Sequence, residues 1–190
     1  MRNRYSIVFA VLIASIPCTM RAAPVAAQAD KPTVEDRAAI AACLDLVEKN
    51  KAAEAAKPDS PADEKPSAEA QLKTAAAAAS VTPESCIGAI NDVCQSTPEG
   101  MSTMGMVQCE DRELAVWDER LNKSYRDSLN GADPKYRDAL RKAQRTWIAY
   151  RDARCALPAL ENEGGSIVGP LTEYCMMEET ARQALWLSEN

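Results

Sequence analysis

Two helix-forming stretches separated by a very short joint constrain this chain more than any other feature. One runs from about Met106 to Leu129; the other ends in Gln144-Arg145-Thr146-Trp147-Ile148-Ala149-Tyr150-Arg151-Asp152-Ala153-Arg154-Cys155. The joint, Asn130-Gly131-Ala132-Asp133-Pro134, carries stop and start chemistry in the right order. Gly131 can adopt the left-handed conformation that closes a helix, Asp133 can cap the next one, and Pro134 suits its first position. Folding the two helices back on each other brings Glu113 level with Arg151, Trp117 with Trp147, Leu121 with Ala143 and Cys109 with Cys155. The first members of these pairs recur every four residues and share one face. The spacing therefore predicts an antiparallel hairpin with an aromatic layer, a charge pair and a cysteine layer at its open end.

The beginning of the chain reads differently. Arg2 and Arg4 precede an apolar run from Ser6 to Ile16, and Ala27-Gln28-Ala29 has the small-x-small pattern of a cleavage site. Residues 1–29 are expected to be a signal peptide, too short in their apolar part to span a bilayer. Pro17 before Cys18 argues against lipid attachment. Removing residues 1–29 takes three arginines and no acid, which leaves 19 basic against 28 acidic residues, a net charge of −9. That charge disfavours nucleic acid and anionic lipid and favours a basic protein partner. No stable membrane insertion is expected after cleavage, and the chain should be periplasmic or secreted.

Six cysteines follow the leader: Cys43, Cys86, Cys94, Cys109, Cys155 and Cys175. An even number in an exported chain points to disulfides. The favoured pairing is Cys155–Cys175, Cys94–Cys109 and Cys43–Cys86; the alternative joins Cys109 to Cys155 and leaves Cys94 for Cys175. The absence of any C-x-x-C pair argues against zinc and thioredoxin-like chemistry. The chain has no histidine, which removes Ser-His and Cys-His nucleophile systems and the commonest metal ligand. No enzyme activity, cofactor or metal is expected.

Taken in order, Val34 to Asn50 reads as a short helix with Ile40, Cys43, Leu44 and Val47 on one face. Lys51 to Val81 shifts to Ala, Pro, Lys, Glu and Asp and reads as a low-complexity linker. Thr82-Pro83-Glu84 opens a helix expected to run through about Cys94, with Cys86, Ile87, Ile90 and Val93 or Cys94 inward. A last helix starts near Pro170, with Leu171, Tyr174, Cys175, Ala181 and Leu185 as its apolar face. Strand signals are weak. The expected architecture is all-α: a small disulfide-stapled helical bundle over residues 82–190, built on the hairpin, with a helical appendage at 30–50 joined through 51–81.

Candidate motifs are few. Trp117, Tyr125, Trp147 and Tyr150 read as core, and Glu113 with Arg151 as a structural ion pair. The segment Glu161-Asn162-Glu163-Gly164-Gly165-Ser166 is loop chemistry. If Cys155 pairs with Cys175 it is held at both ends, and a partner would meet it already restrained.

Several of these residues carry a resemblance. Cys94, Cys109, Glu113, Leu121-Asn122, Tyr125, Gln144-x-x-Trp147-x-x-Tyr150-Arg151-Asp152-x-x-Cys155, Gly164-Gly165-Ser166, Cys175 and Thr180-x-Arg182 resemble the LprI-like lysozyme-inhibitor domain family over residues 94 to 187. The resemblance implies a small exported helical domain with four characteristic cysteines. It also implies binding to a lysozyme-type muramidase, with the loop occluding the cleft as one geometry for inhibition. The alternative expectation is a cell-envelope adaptor or assembly protein without inhibitory activity. Cys43 and Cys86 lie in an N-terminal segment that the family pattern lacks.

Overall fold

The computed structural model describes residues 32–56 and 82–189; the expected signal peptide and most of the expected linker lie outside them. The described residues contain helices and no strand. Helix α1 spans Val34–Ala55, a 3-10 turn spans Pro83–Cys86, and α2 is the short Asn91–Gln95. The long helices α3 (Thr103–Leu129) and α4 (Pro134–Cys155) are followed by the short α5 (Leu157–Glu161) and by α6 (Val168–Glu189).

Local chemistry explains the ends. Thr33 and Asp36 form a reciprocal capping box: the Asp36 N–H donates to Thr33 Oγ1 and the Thr33 N–H to Asp36 Oδ2, both at 3.0 Å. Helix α1 continues five residues past the expected end at Asn50. Lys51-Ala52-Ala53-Glu54-Ala55 has strong helix propensity, which outweighs its linker-like composition. Between α3 and α4, Gly131 takes φ +72° and the Tyr136 N–H donates to Asp133 Oδ1 at 3.0 Å, so the joint works as its residues suggest.

The hairpin opened by that joint does not close face to face. Helix α6 packs against both long helices and lies along α3 in the same direction. Gly169 sits beside Val107 at one end; Trp117, Ser124 and Ser128 line a groove with Ala184, Leu187 and Ser188 towards the other. It runs antiparallel to α4, with Cys155 bonded to Cys175, Arg151 near Thr180 and Gln183 donating to Gln144. The layer pairings expected from the hairpin are therefore corrected. Glu113 does not meet Arg151, and Cys109 does not meet Cys155, because the third helix supplies the facing surface.

That sandwich also corrects the expected face of α6. Met177, Thr180, Ala181, Ala184, Leu185 and Leu187 are buried, whereas Leu171 and Tyr174 are exposed. A helix packed from two sides needs two inward faces, and a single-stripe reading finds only one. The core centres on Trp117 and joins Ile40 and Val47 of α1, Cys86 and Ile90, Val116 and Leu121 of α3, Leu140 of α4 and the buried face of α6. Leu44, Tyr125 and Trp147 pack against it from the edge.

The helix expected from Thr82 to Cys94 is broken, and Val93 is exposed. The chain turns at Gly88, where φ is +104°, a conformation that costs glycine least. The amides of this segment are taken by a side chain from α3. Glu113, completely buried, accepts from the N–H of Gly88 at 2.6 Å, Ile90 at 2.9 Å and Asn91 at 2.8 Å. It also accepts from Trp117 Nε1 at 2.9 Å, so one carboxylate organises the turn, α2 and the central tryptophan.

Three disulfides fasten the elements: Cys43–Cys86 ties α1 to the 3-10 turn, Cys94–Cys109 ties α2 to α3, and Cys155–Cys175 ties α4 to α6. This is the favoured pairing; the alternative set does not form. Ion pairs from Asp36 to Arg112 (2.5 Å) and from Arg37 to Glu119 (2.6 Å) add to the α1–α3 contact.

Candidate functional site

The Cys155–Cys175 bond closes the segment that carries the candidate loop, a span of 20 residues. In the chain-entropy picture such a bond removes about 3 kcal/mol of freedom from the unfolded chain. Within it the backbone is pinned by short local bonds. The N–H and side-chain amide of Asn162 both donate to Pro158 O, at 3.1 and 2.9 Å, and the Gly165 N–H donates to Asn162 O at 2.9 Å. Glu163 and Gly164 both take positive φ, 49° and 75°. Glu161, Glu163, Gly164, Gly165 and Ser166 are all exposed. So are the neighbouring apolar residues Leu157, Leu160 and Ile167. The loop is therefore an acidic, partly apolar projection on a stapled base. Sequence reasoning located its polar residues and missed Leu160, 77% exposed, because it reads as ordinary helix filler.

Its surroundings hold a second feature that the sequence did not announce. Glu110 on α3 is buried; its Oε1 accepts weakly from Gln95 Nε2 at 3.2 Å and its Oε2 has no hydrogen-bond partner. Burial first, then the nearby Glu173 and Asp111 charges, push its carboxyl from 4.5 up to about 7. Across the α3–α6 contact the carboxyls of Asp111 and Glu173 interact, and both are pushed up chiefly by burial. This acidic interface sits one turn from the start of α6, on which the candidate loop ends.

A group whose folded pKa lies above its unfolded value gives full stability below the unfolded value and loses it as pH rises through the folded one. Stability should therefore fall between about pH 4.5 and 7, by at most about 3 kcal/mol for Glu110. Glu110→Gln should flatten that part of the profile and raise the urea midpoint at pH 8. An unchanged pH profile in the variant would remove Glu110 as the titrating group.

The other residues singled out in the sequence are distributed as follows. Trp117 and Leu121 are core, and Gln144 is buried against Gln183. Arg151 lies over the Trp147 ring, 5.1 Å from its centre, and donates to Asp152 and to Thr180 Oγ1. Arg154 is paired with Glu179 of α6. Tyr150 is exposed. The structure thus brings Gln144, Trp147 and Arg151 together at the α4–α6 contact, keeps Glu113 and Trp117 together at the core, and separates the two groups from the acidic loop. Among the described residues no cluster of His, Cys, Asp and Glu could hold a metal ion, and no helix is long and apolar enough to cross a membrane.

These features define a small all-α domain stapled by three disulfides, the bonding chemistry of an oxidising, extracytoplasmic setting. The model of the family described as lysozyme inhibitor LprI matches residues 94–187, and the chain belongs to that family. It is also similar to an uncharacterized protein of Rhizobium meliloti (strain 1021), with 35% identity over 104 residues, 48% of this chain and 75% of the relative. No solved structure matches.

Proposed function

We propose that this protein is an exported inhibitor of a lysozyme-type muramidase, and that the stapled loop at Glu161–Ser166 occludes the enzyme's cleft. Family membership carries the class of activity. The charge distribution supports the surface: Glu161 and Glu163 are exposed, and no basic residue lies between Arg154 and Arg182. A basic enzyme is steered to such a surface, and a loop already ordered loses less entropy on docking. The exposed Leu157 and Leu160 supply apolar area beside the acids, which charge alone does not provide. The working location is the periplasm or the exterior.

The test is peptidoglycan lysis by a panel of lysozymes, with and without the oxidised chain. Inhibition should weaken with added salt, and the double charge reversal Glu161→Lys with Glu163→Lys should weaken it by about tenfold or more. Full inhibition by the double variant would remove the loop from the account while leaving the inhibitor class standing. No inhibition of any lysozyme would favour the adaptor reading, in which the disulfide-tethered α1, with Val34 and Leu46 exposed, is the partner-facing part.

A further inference from the structure

Helix α4 is the electrostatic opposite of the rest of the chain. It carries seven basic residues and two acidic ones, against one basic and six acidic from Leu157 to Glu189. Three of its cations have local acid partners: Arg141 with Asp138, Arg151 with Asp152, and Arg154 with Glu179. Lys135, Lys142 and Arg145 are exposed and have no acid partner among the described residues. The same helix presents one outward stripe at helical spacing: Tyr136, Ala139, Ala143, Thr146, Trp147 and Tyr150. At 1.5 Å per residue the stripe is about 21 Å long. Its central part forms one shallow surface with Lys142. The Trp147 ring is oriented by Arg151, which is itself held by Asp152 and Thr180.

We propose that this face binds a carboxylate-bearing glycan, specifically a peptidoglycan strand with its acidic stem peptides. The exposed rings of Tyr136 and Tyr150 and the half-buried ring of Trp147, separated by small residues, make an apolar track on which the C–H faces of successive sugars can stack. Unpaired lysines along its edge match carboxylates spaced along the strand. A protein partner would need larger aliphatic or aromatic anchors seated in pockets, and the middle of this stripe offers only alanine and threonine. A symmetric contact between the α4 helices of two copies is disfavoured because two such basic helices repel. A long polyphosphate would meet the acidic α5–α6 surface alongside. The site is independent of the acidic loop, and its failure would leave the inhibitor reading untouched.

The experiment is co-sedimentation of the oxidised chain with purified peptidoglycan, alongside chitin and a duplex DNA fragment. Binding to peptidoglycan should weaken with salt and exceed binding to chitin and DNA by about tenfold. Lys135→Glu with Lys142→Glu, and separately Tyr150→Ala, should each reduce it by about tenfold while melting temperature and lysozyme inhibition stay unchanged. Absence of sedimentation with peptidoglycan, equal binding to chitin or DNA, or full binding by the lysine variant would each overturn the proposal.

Discussion

Replacing Glu113 by Ala is expected to cost about 4 kcal/mol or more, enough to unfold a domain of this size at ambient temperature. The reason is the number of donors that depend on it. Three backbone N–H groups and the Trp117 indole N–H all end on this one buried carboxylate, and alanine leaves them facing one another without an acceptor. Each unsatisfied buried donor costs about 1–3 kcal/mol. The truncation also opens space beside Trp117, at the centre of the core. Glu113→Gln keeps the volume and one acceptor but turns an amide N–H towards a donor, so it should lose less, about 1–3 kcal/mol. Urea unfolding followed by tryptophan fluorescence gives both values. A Glu113→Ala protein within 1 kcal/mol of the parent would show that the four donors find other acceptors.

The second large effect concerns α1. Cys43 and Cys86 are 43 residues apart, and closing a loop of that length stabilises by about 4 kcal/mol in the chain-entropy model. Without the bond α1 keeps Ile40, Leu44, Val47 and two ion pairs as its hold on the body. The ion pair from Arg37 to Glu119 is exposed at both ends and contributes little. The double variant Cys43→Ser with Cys86→Ser should therefore detach α1 before the rest unfolds. Hydrogen exchange would read this as lost protection over residues 34–55 with protection retained in α3 and α6. Equal protection in both regions would mean that packing alone secures the appendage.

Much of this architecture is legible in local sequence chemistry. The capping residues around Gly131, the six cysteines and the inward residues of α1 each follow from spacing and turn propensity. What escaped was decided by contacts between distant segments. Nothing near Thr82 to Cys94 indicates that a carboxylate from α3 will claim the amides of Gly88, Ile90 and Asn91 and break the helix there. The hairpin pairing failed for the same reason: complementary rows on α3 and α4 say that each needs a partner, and not that α6 serves both. The candidate loop was visible through its acids and glycines, while the stripe on α4 looked like core because Trp147 and Tyr150 recur at helical spacing. Glu110 gave no signal, since only the folded arrangement makes one of several glutamates an orphan.

The shared position of α6 also fixes the order in which the domain can assemble. Helices α3 and α4 are neighbours in the chain, yet neither finds its main packing surface until the last described helix arrives. Gly169 must come to rest against Val107, and Cys175 against Cys155, across long stretches of intervening chain. Such non-local contacts carry their closure entropy before they return any burial, which slows folding. Until then Trp117 and the inner side of α4 lie open to solvent.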